Sequence, residues 1–250
     1  MVRALIIGCG EVGTAIAACY ARAGMPVDSH DPLRGLIGDL DAADVVHVCV
    51  PAPAAKLAVL GCPETALTLV HSTTLPGTCD EIGRDRLVHA PVEGRHPRLA
   101  EYLRSWAMPV SGPPEAVGPA VARLRLIGIP AEPWPGPRAT TELAKHLSTL
   151  RLGVDVAFLR EAHRLCARLG VPFERVYTAW TSAYNDLYFG TAMERPILEP
   201  APGPVGGHCV GPNAAALAMW AVGRGRPIPF ADLVAALLED ATFGLAEDRA

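Results

Sequence analysis

Two groups of residues in this sequence have types and spacing suited to chemistry. The first is Gly8-Cys9-Gly10-Glu11-Val12-Gly13. Its three glycines serve three ends: a tight turn, close approach of a pyrophosphate to backbone N–H groups, and close packing of a helix on a strand. Gly8, Gly10, Glu11, Val12 and Gly13 are therefore candidate dinucleotide contacts. Asp31 follows eighteen residues past Gly13, at the end of the next apolar run. A carboxylate there accepts ribose hydroxyls and repels a 2′-phosphate, which favours NAD over NADP; Arg34 is the opposite signal. The second group is Gly206-Gly207-His208-Cys209-Val210, a flexible approach to one thiol just before a helical segment. Backbone N–H groups at a helix start acidify a thiol, so Cys209 is a candidate nucleophile.

The other six cysteines, at 9, 19, 49, 62, 79 and 166, lie in apolar strands or on helix faces and read as inert core thiols. Seven cysteines without a CxxC pair argue for reduced thiols in a cytoplasm, and against a disulfide frame or a metal knuckle. A net charge of −4 with no basic run excludes the usual nucleic-acid footprint. Half the residues are hydrophobic and 19% charged, which excludes intrinsic disorder. The apolar start is interrupted by Glu11 and glycines, unlike a signal peptide. The uncharged stretch from Pro200 to Gly223 carries too many prolines and glycines to span a membrane.

These groups need elements to position them. Arg3 to Ile7 reads as a strand running into the glycine turn and a helix to about Ala23. Further strands are expected at Val27 to His30, Asp44 to Val50, Leu67 to His71, Leu87 to His89 and Met108 to Val110. Short helices near Ala54 to Leu60, Cys79 to Arg84 and Pro97 to Leu103 separate them, an alternation that implies a doubly wound parallel sheet. Four prolines between Pro130 and Pro137 mark a domain boundary, giving domains 1–136 and 137–250. One helix is expected from Ala139 to about Gly170, roughly 45 Å long, with Leu143, Leu147, Leu150, Val154, Ala157, Glu161 and Leu165 on its apolar face. Helices at Phe173 to Phe189, Pro212 to Val222 and Phe230 to Leu245 complete an all-helical second half.

Several ordered motifs together resemble the UDP-glucose and GDP-mannose dehydrogenases. They are Ile6 to Gly13, Val48-Cys49-Val50-Pro51, His71-Ser72-Thr73-Thr74-Leu75-Pro76-Gly77-Thr78, Glu142-Leu143-Ala144-Lys145 and Gly206-Gly207-His208-Cys209. The resemblance implies a nicotinamide-binding Rossmann domain, a long helix and a helical dimerisation domain. It also implies oxidation of a sugar primary alcohol to a carboxylate by two hydride transfers. On that implication Cys209 holds the intermediate aldehyde as a thiohemiacetal, Lys145 is its cationic companion, Thr73 positions a water, and Val50 and Pro51 join the cofactor contacts.

The chain also departs from that pattern. Thr149 stands where the family has an asparagine, and Asn213 where it has an aspartate; an amide cannot act as a base. Glu93 is displaced by one position, and with His71, His89, His96 and His208 it is a candidate for activating water. The family's C-terminal nucleotide-binding domain has no counterpart before Ala250. The expectations are an NAD-dependent, cytoplasmic homodimer acting on a sugar-like small molecule, with no nucleic acid, membrane or metal partner. Two alternatives stay open: a single-hydride dehydrogenase on a smaller substrate, and a nucleotide-binding subunit without chemistry.

Overall fold

The computed structural model describes residues 2–94, 97–200 and 209–239. The chain divides into two compact units, Met1–Lys145 and His146–Ala250. In the first, seven strands form one sheet: β1 (Ala4–Ile7), β2 (Asp28–His30), β3 (Val45–Val48), β4 (Leu67–Val70), β5 (Leu87–His89), β6 (Met108–Gly112) and β7 (Ala131–Pro135). Their order is β2-β1-β3-β4-β5-β6-β7. Between them run α1 (Glu11–Arg22), α2 (Ala52–Leu60), α3 (Thr78–Ile82), α4 (Leu99–Ser105) and α5 (Pro114–Leu126). Alternate side chains of β1 enter opposite faces of the sheet. Ala4 and Ile6 join the core beneath α1, α4 and α5, while Leu5 and Ile7 join the core beneath α2 and α3. The doubly wound α/β architecture expected from the sequence is therefore present.

Three features differ from the sequence expectation. Strands β1 to β5 are parallel, but β6 runs antiparallel to β5 through the single pair His89–Ser111. The proline-rich segment expected to mark a boundary contains β7, which pairs with β6 at the sheet edge. Gly136 N–H donates to Gly112 O, which sets the parity so that Pro133 and Pro135 turn their missing donors away from β6. An edge strand is where such prolines are tolerated. Helix α5 is not among the elements expected from the sequence; Gly118 and Pro119 disfavour it locally, and burial of Ala116, Val117, Ala120, Val121 and Leu124 holds it together.

Helix α6 (Ala139–Leu169) begins in the first unit and continues through the second. Gly170, at φ +65°, stops it. The second unit also contains a π-helical segment (Glu174–Ala179), α7 (Trp180–Leu187), α8 (Val210–Val222) and α9 (Pro229–Glu239). Leu150 and Val154 of α6 pack with Ala214, Leu217 and Ala218 of α8 and with Ala231 and Val234 of α9. Leu159 and Cys166 pack with Phe173. The apolar face read from the sequence is only half right. Leu150 and Ala157 are buried, but Leu143, Leu147 and Leu165 are exposed, and the polar residues Thr141, Glu142, His146, Thr149 and Arg160 take buried places instead. Of the helix expected to reach Leu245, the part beyond Glu239 lies outside the described residues.

Candidate functional site

The three glycines of the turn between β1 and α1 have different surroundings. Gly8 has φ +88°, and a Cβ there would sit 2.8 Å from Val50 Cγ1 and 2.9 Å from Cys49 O. Gly13 lets α1 descend onto the turn, since its Cβ would come within 2.0 Å of Gly8 O. Gly10 is different: a Cβ on it would meet nothing within 4 Å. Gly10 is the N-cap of α1, and no side chain caps the helix. The first-turn residues Glu11, Val12 and Gly13 thus begin a helix whose positive end opens onto free space, an arrangement that fits a pyrophosphate. Val50 packs on Gly8, and Pro51 starts α2 beside it.

Asp31 closes the same corner. Its Oδ2 accepts the Cys9 N–H at 2.9 Å, and Oδ1 takes no protein hydrogen bond among the described residues, which leaves it for a ligand hydroxyl. Asp31 and Leu36 bond reciprocally through their backbones, folding a 3-10 turn (Pro32–Arg34) between them. Arg34 Nε lies 3.6 Å from Asp31 Oδ2. The residues present therefore fit a dinucleotide.

The candidate Lys145 ends the first unit and forms an ion pair with Glu93, Nζ to Oε2 3.1 Å. Its placement follows from two carboxylates that the sequence reading left without a role. Glu142, one turn earlier on α6, is fully buried. It accepts the Thr74 hydroxyl at 2.7 Å, the Gly77 N–H at 2.7 Å and the Cys79 N–H at 3.0 Å, so it caps the start of α3. In return, Asp80 of α3 accepts the Arg138 and Ala139 N–H groups, each at 3.0 Å, and caps the start of α6. Arg138 itself reaches the carbonyls of Leu87 and Arg84. Two helix starts are thereby locked carboxylate to amide in both directions. Thr73 sits half-buried beside Thr74 on the loop so held, which fixes it against the same frame as Lys145.

Two of the proposed water-activating histidines are structural. His71 Nδ1–H donates to Ala90 O at 2.6 Å, so its Nε2 is the acceptor for His47 Nδ1–H at 2.9 Å, and His47 Nε2 accepts the Tyr20 hydroxyl at 2.8 Å. Burial pushes His71 down to about 4, pushes His47 well below its ordinary value, and pushes Tyr20 up to about 12. His89 donates to Ser72 O and accepts the Thr141 hydroxyl, itself bonded to Ser111. All three histidines are buried and fully engaged. His96 and His208 lie outside the described residues, as do Gly206 and Gly207. Glu93 is the member of that group placed beside another candidate.

In the second unit Cys209 is the N-cap of α8 and is exposed. Asn213 stands one turn later, its N–H donating to Cys209 O at 3.1 Å. The remaining thiols are half-buried or buried. Burial pushes the thiols of Cys19, Cys49 and Cys79 up, and that of Cys62 to about 11, which suits the inert role expected of them.

No protein-family model and no curated protein matches the chain in sequence. Solved structures do match. UDP-D-ManNAc dehydrogenase from Pyrococcus horikoshii superposes with a TM-score of 0.78 at 17% identity, over 96% of this chain and 69% of that one. A 3-hydroxyisobutyrate dehydrogenase from Mycobacterium tuberculosis, solved with L-serine, gives 0.74 at 17% identity over 97% and 94%. UDP-glucose dehydrogenase from Pyrobaculum islandicum gives 0.70 at 19% over 94% and 67%. The chain has the fold of these dehydrogenases. At such identities the likeness is one of dehydrogenase fold, shared between enzymes named for UDP-sugars and for a small hydroxy acid. No described helix is long and apolar enough to cross a membrane.

Proposed function

We propose that this chain is a nicotinamide-dependent dehydrogenase that oxidises an alcohol or aldehyde carbon of a small, sugar-like hydroxy substrate. The observation that carries the reading is the glycine turn, where Gly10 leaves open the space at the start of α1 and Asp31 is tied to the Cys9 amide beside it. The dehydrogenase fold supports it. The nicotinamide, when bound, accepts the hydride. Lys145, held by Glu93, stabilises the developing alkoxide, and its ion pair provides a route for the hydroxyl proton. The Thr73 hydroxyl, on the loop that Glu142 holds, positions a water.

In the fuller form of this reading, Cys209 acts as nucleophile. Its sulfur adds to the aldehyde carbon to give a thiohemiacetal, a second hydride leaves to give a thioester, and water releases the acid and restores the thiol. Each turnover then reduces two cofactors and consumes one water. Asn213, one turn after Cys209, cannot accept a proton, so this route calls for a base other than Asn213. A cytoplasmic homodimer belongs to the same reading. The single-hydride alternative is favoured by one observation, the amide of Asn213 at the position where hydrolysis of a thioester calls for a base.

The test follows NADH absorbance with UDP-sugars, GDP-sugars, free sugars and 3-hydroxyisobutyrate. Two NADH per substrate support the Cys209 route, and one NADH with release of a carbonyl product supports the alternative. C209S is expected to keep cofactor binding and to lose acid formation; normal acid production by that variant overturns the nucleophile. A chain that turns over none of these substrates yet binds the dinucleotide is the non-catalytic subunit.

A further inference from the structure

The corner that receives the adenosine ribose holds two opposite charges on one folded loop. Resting on the dinucleotide reading above, their placement bears on which dinucleotide enters. Asp31 would exclude a 2′-phosphate if its charge stood alone. It does not stand alone. One oxygen accepts the Cys9 N–H at 2.9 Å, and Arg34 Nε lies 3.6 Å from that same oxygen. The two side chains also differ in access: Asp31 is 14% exposed, drawn back against the glycine turn, whereas Arg34 is 62% exposed. A ligand arriving at this corner therefore meets the guanidinium more openly than the carboxylate.

The loop that carries Arg34 is built to hold it there. Asp31 N–H donates to Leu36 O at 2.8 Å, Leu36 N–H donates to Asp31 O at 3.1 Å, and Arg34 N–H donates to Asp31 O at 2.9 Å. Gly35, at φ +72°, closes the turn. Arg34 thus projects from a short hydrogen-bonded loop beside the open face of the glycine turn. A planar guanidinium there has donors to spare after one long contact with a carboxylate, and phosphate oxygens are its best acceptors.

We propose that Arg34 is a specificity-determining residue that admits a 2′-phosphate, so that the chain binds NADPH at least as tightly as NADH. Asp31 keeps the ribose hydroxyl contact through its other oxygen, and Arg34 neutralises the repulsion that would bar the phosphate.

Direct titration of the full chain with NADH and with NADPH, by nucleotide fluorescence or calorimetry, tests this without any substrate. NADPH is expected to bind as tightly as NADH or more tightly. R34A is expected to weaken NADPH at least about tenfold while changing NADH by less than about twofold. R34K, which keeps the charge but loses the fork, should fall between the two. Circular dichroism of each variant checks that the exposed substitution leaves the fold intact. Tight NADH binding with NADPH at least tenfold weaker overturns the role of Arg34 and leaves the dehydrogenase reading in place, as does an equal effect of R34A on both nucleotides. Failure of the chain to bind either nucleotide overturns both.

Discussion

Gly13 and Gly10 have the same side chain and opposite tolerance. A methyl group on Gly13 would overlap Gly8 O, so G13A must push α1 off β1; we expect lost dinucleotide binding and a melting temperature lowered by several degrees. G10A meets no protein atom, so it should fold normally and weaken only the dinucleotide. Equal stability of the two variants by thermal melting would refute this distinction. The histidine pair makes a pH prediction. The folded value of His71, about 4, lies below its ordinary 6.5, so the unfolded chain takes up a proton that the folded chain refuses. Stability is therefore fully present above about pH 6.5 and declines as pH falls toward 4, by roughly 3 kcal/mol from this group. His47 shifts in the same direction and adds to the decline. Urea melts from pH 7 to 4.5 should show it, and H71Q, less stable at neutral pH, should show a shallower slope; an unchanged slope sinks the assignment.

At the scale of elements, the reciprocal caps between α3 and α6 set where Thr73 and Lys145 stand. Removing one carboxylate charge leaves buried amides facing a weaker acceptor, so E142Q is expected to cost about 2 kcal/mol, and D80N somewhat less because Asp80 is partly exposed. Because both caps join the same two helix starts, the double variant should cost less than the sum of the singles, which chemical denaturation measures. Strict additivity would mean that the two caps act independently. Helix α6 shows a related economy of place. Its buried stripe begins with polar residues that find partners far away in sequence, Thr141 at His89 and Ser111 and Glu142 at Thr74, Gly77 and Cys79, and leucines take exposed positions nearby.

For the whole molecule, the exposed large apolar side chains of the second unit bear on assembly. Leu147, Phe158 and Leu165 of α6, with Trp180, Met219 and Phe230 on the later helices, are exposed. Apolar side chains in such number favour burial by association. A second copy of the chain is the occupant we propose, through the long helix. Light scattering at micromolar concentration should then give twice the monomer mass of 26.3 kDa, and L147E with L165E should lower it. A monomer mass for the unaltered chain refutes the homodimer.

Local sequence determined the glycine turn, because positive φ and close backbone approach act within a few residues and only glycine meets them. It determined where α6 stops, because Gly170 takes the left-handed conformation that ends a helix. Asp31 became a candidate from motif and spacing, whereas Lys145 and Thr73 became candidates only through the family resemblance. Tertiary structure alone decided the rest. Glu142 meets Thr74 and Cys79 across separations of 68 and 63 residues, and His47 meets His71 across 24, so nothing in either neighbourhood announces the pairing. Prolines that locally argue against a strand become acceptable in β7 once it lies at the sheet edge, and α5 survives Pro119 because its other face is buried. Burial, edge position and long-range hydrogen bonds together outweigh local preference at these places, because they depend on neighbours that only the folded chain brings near.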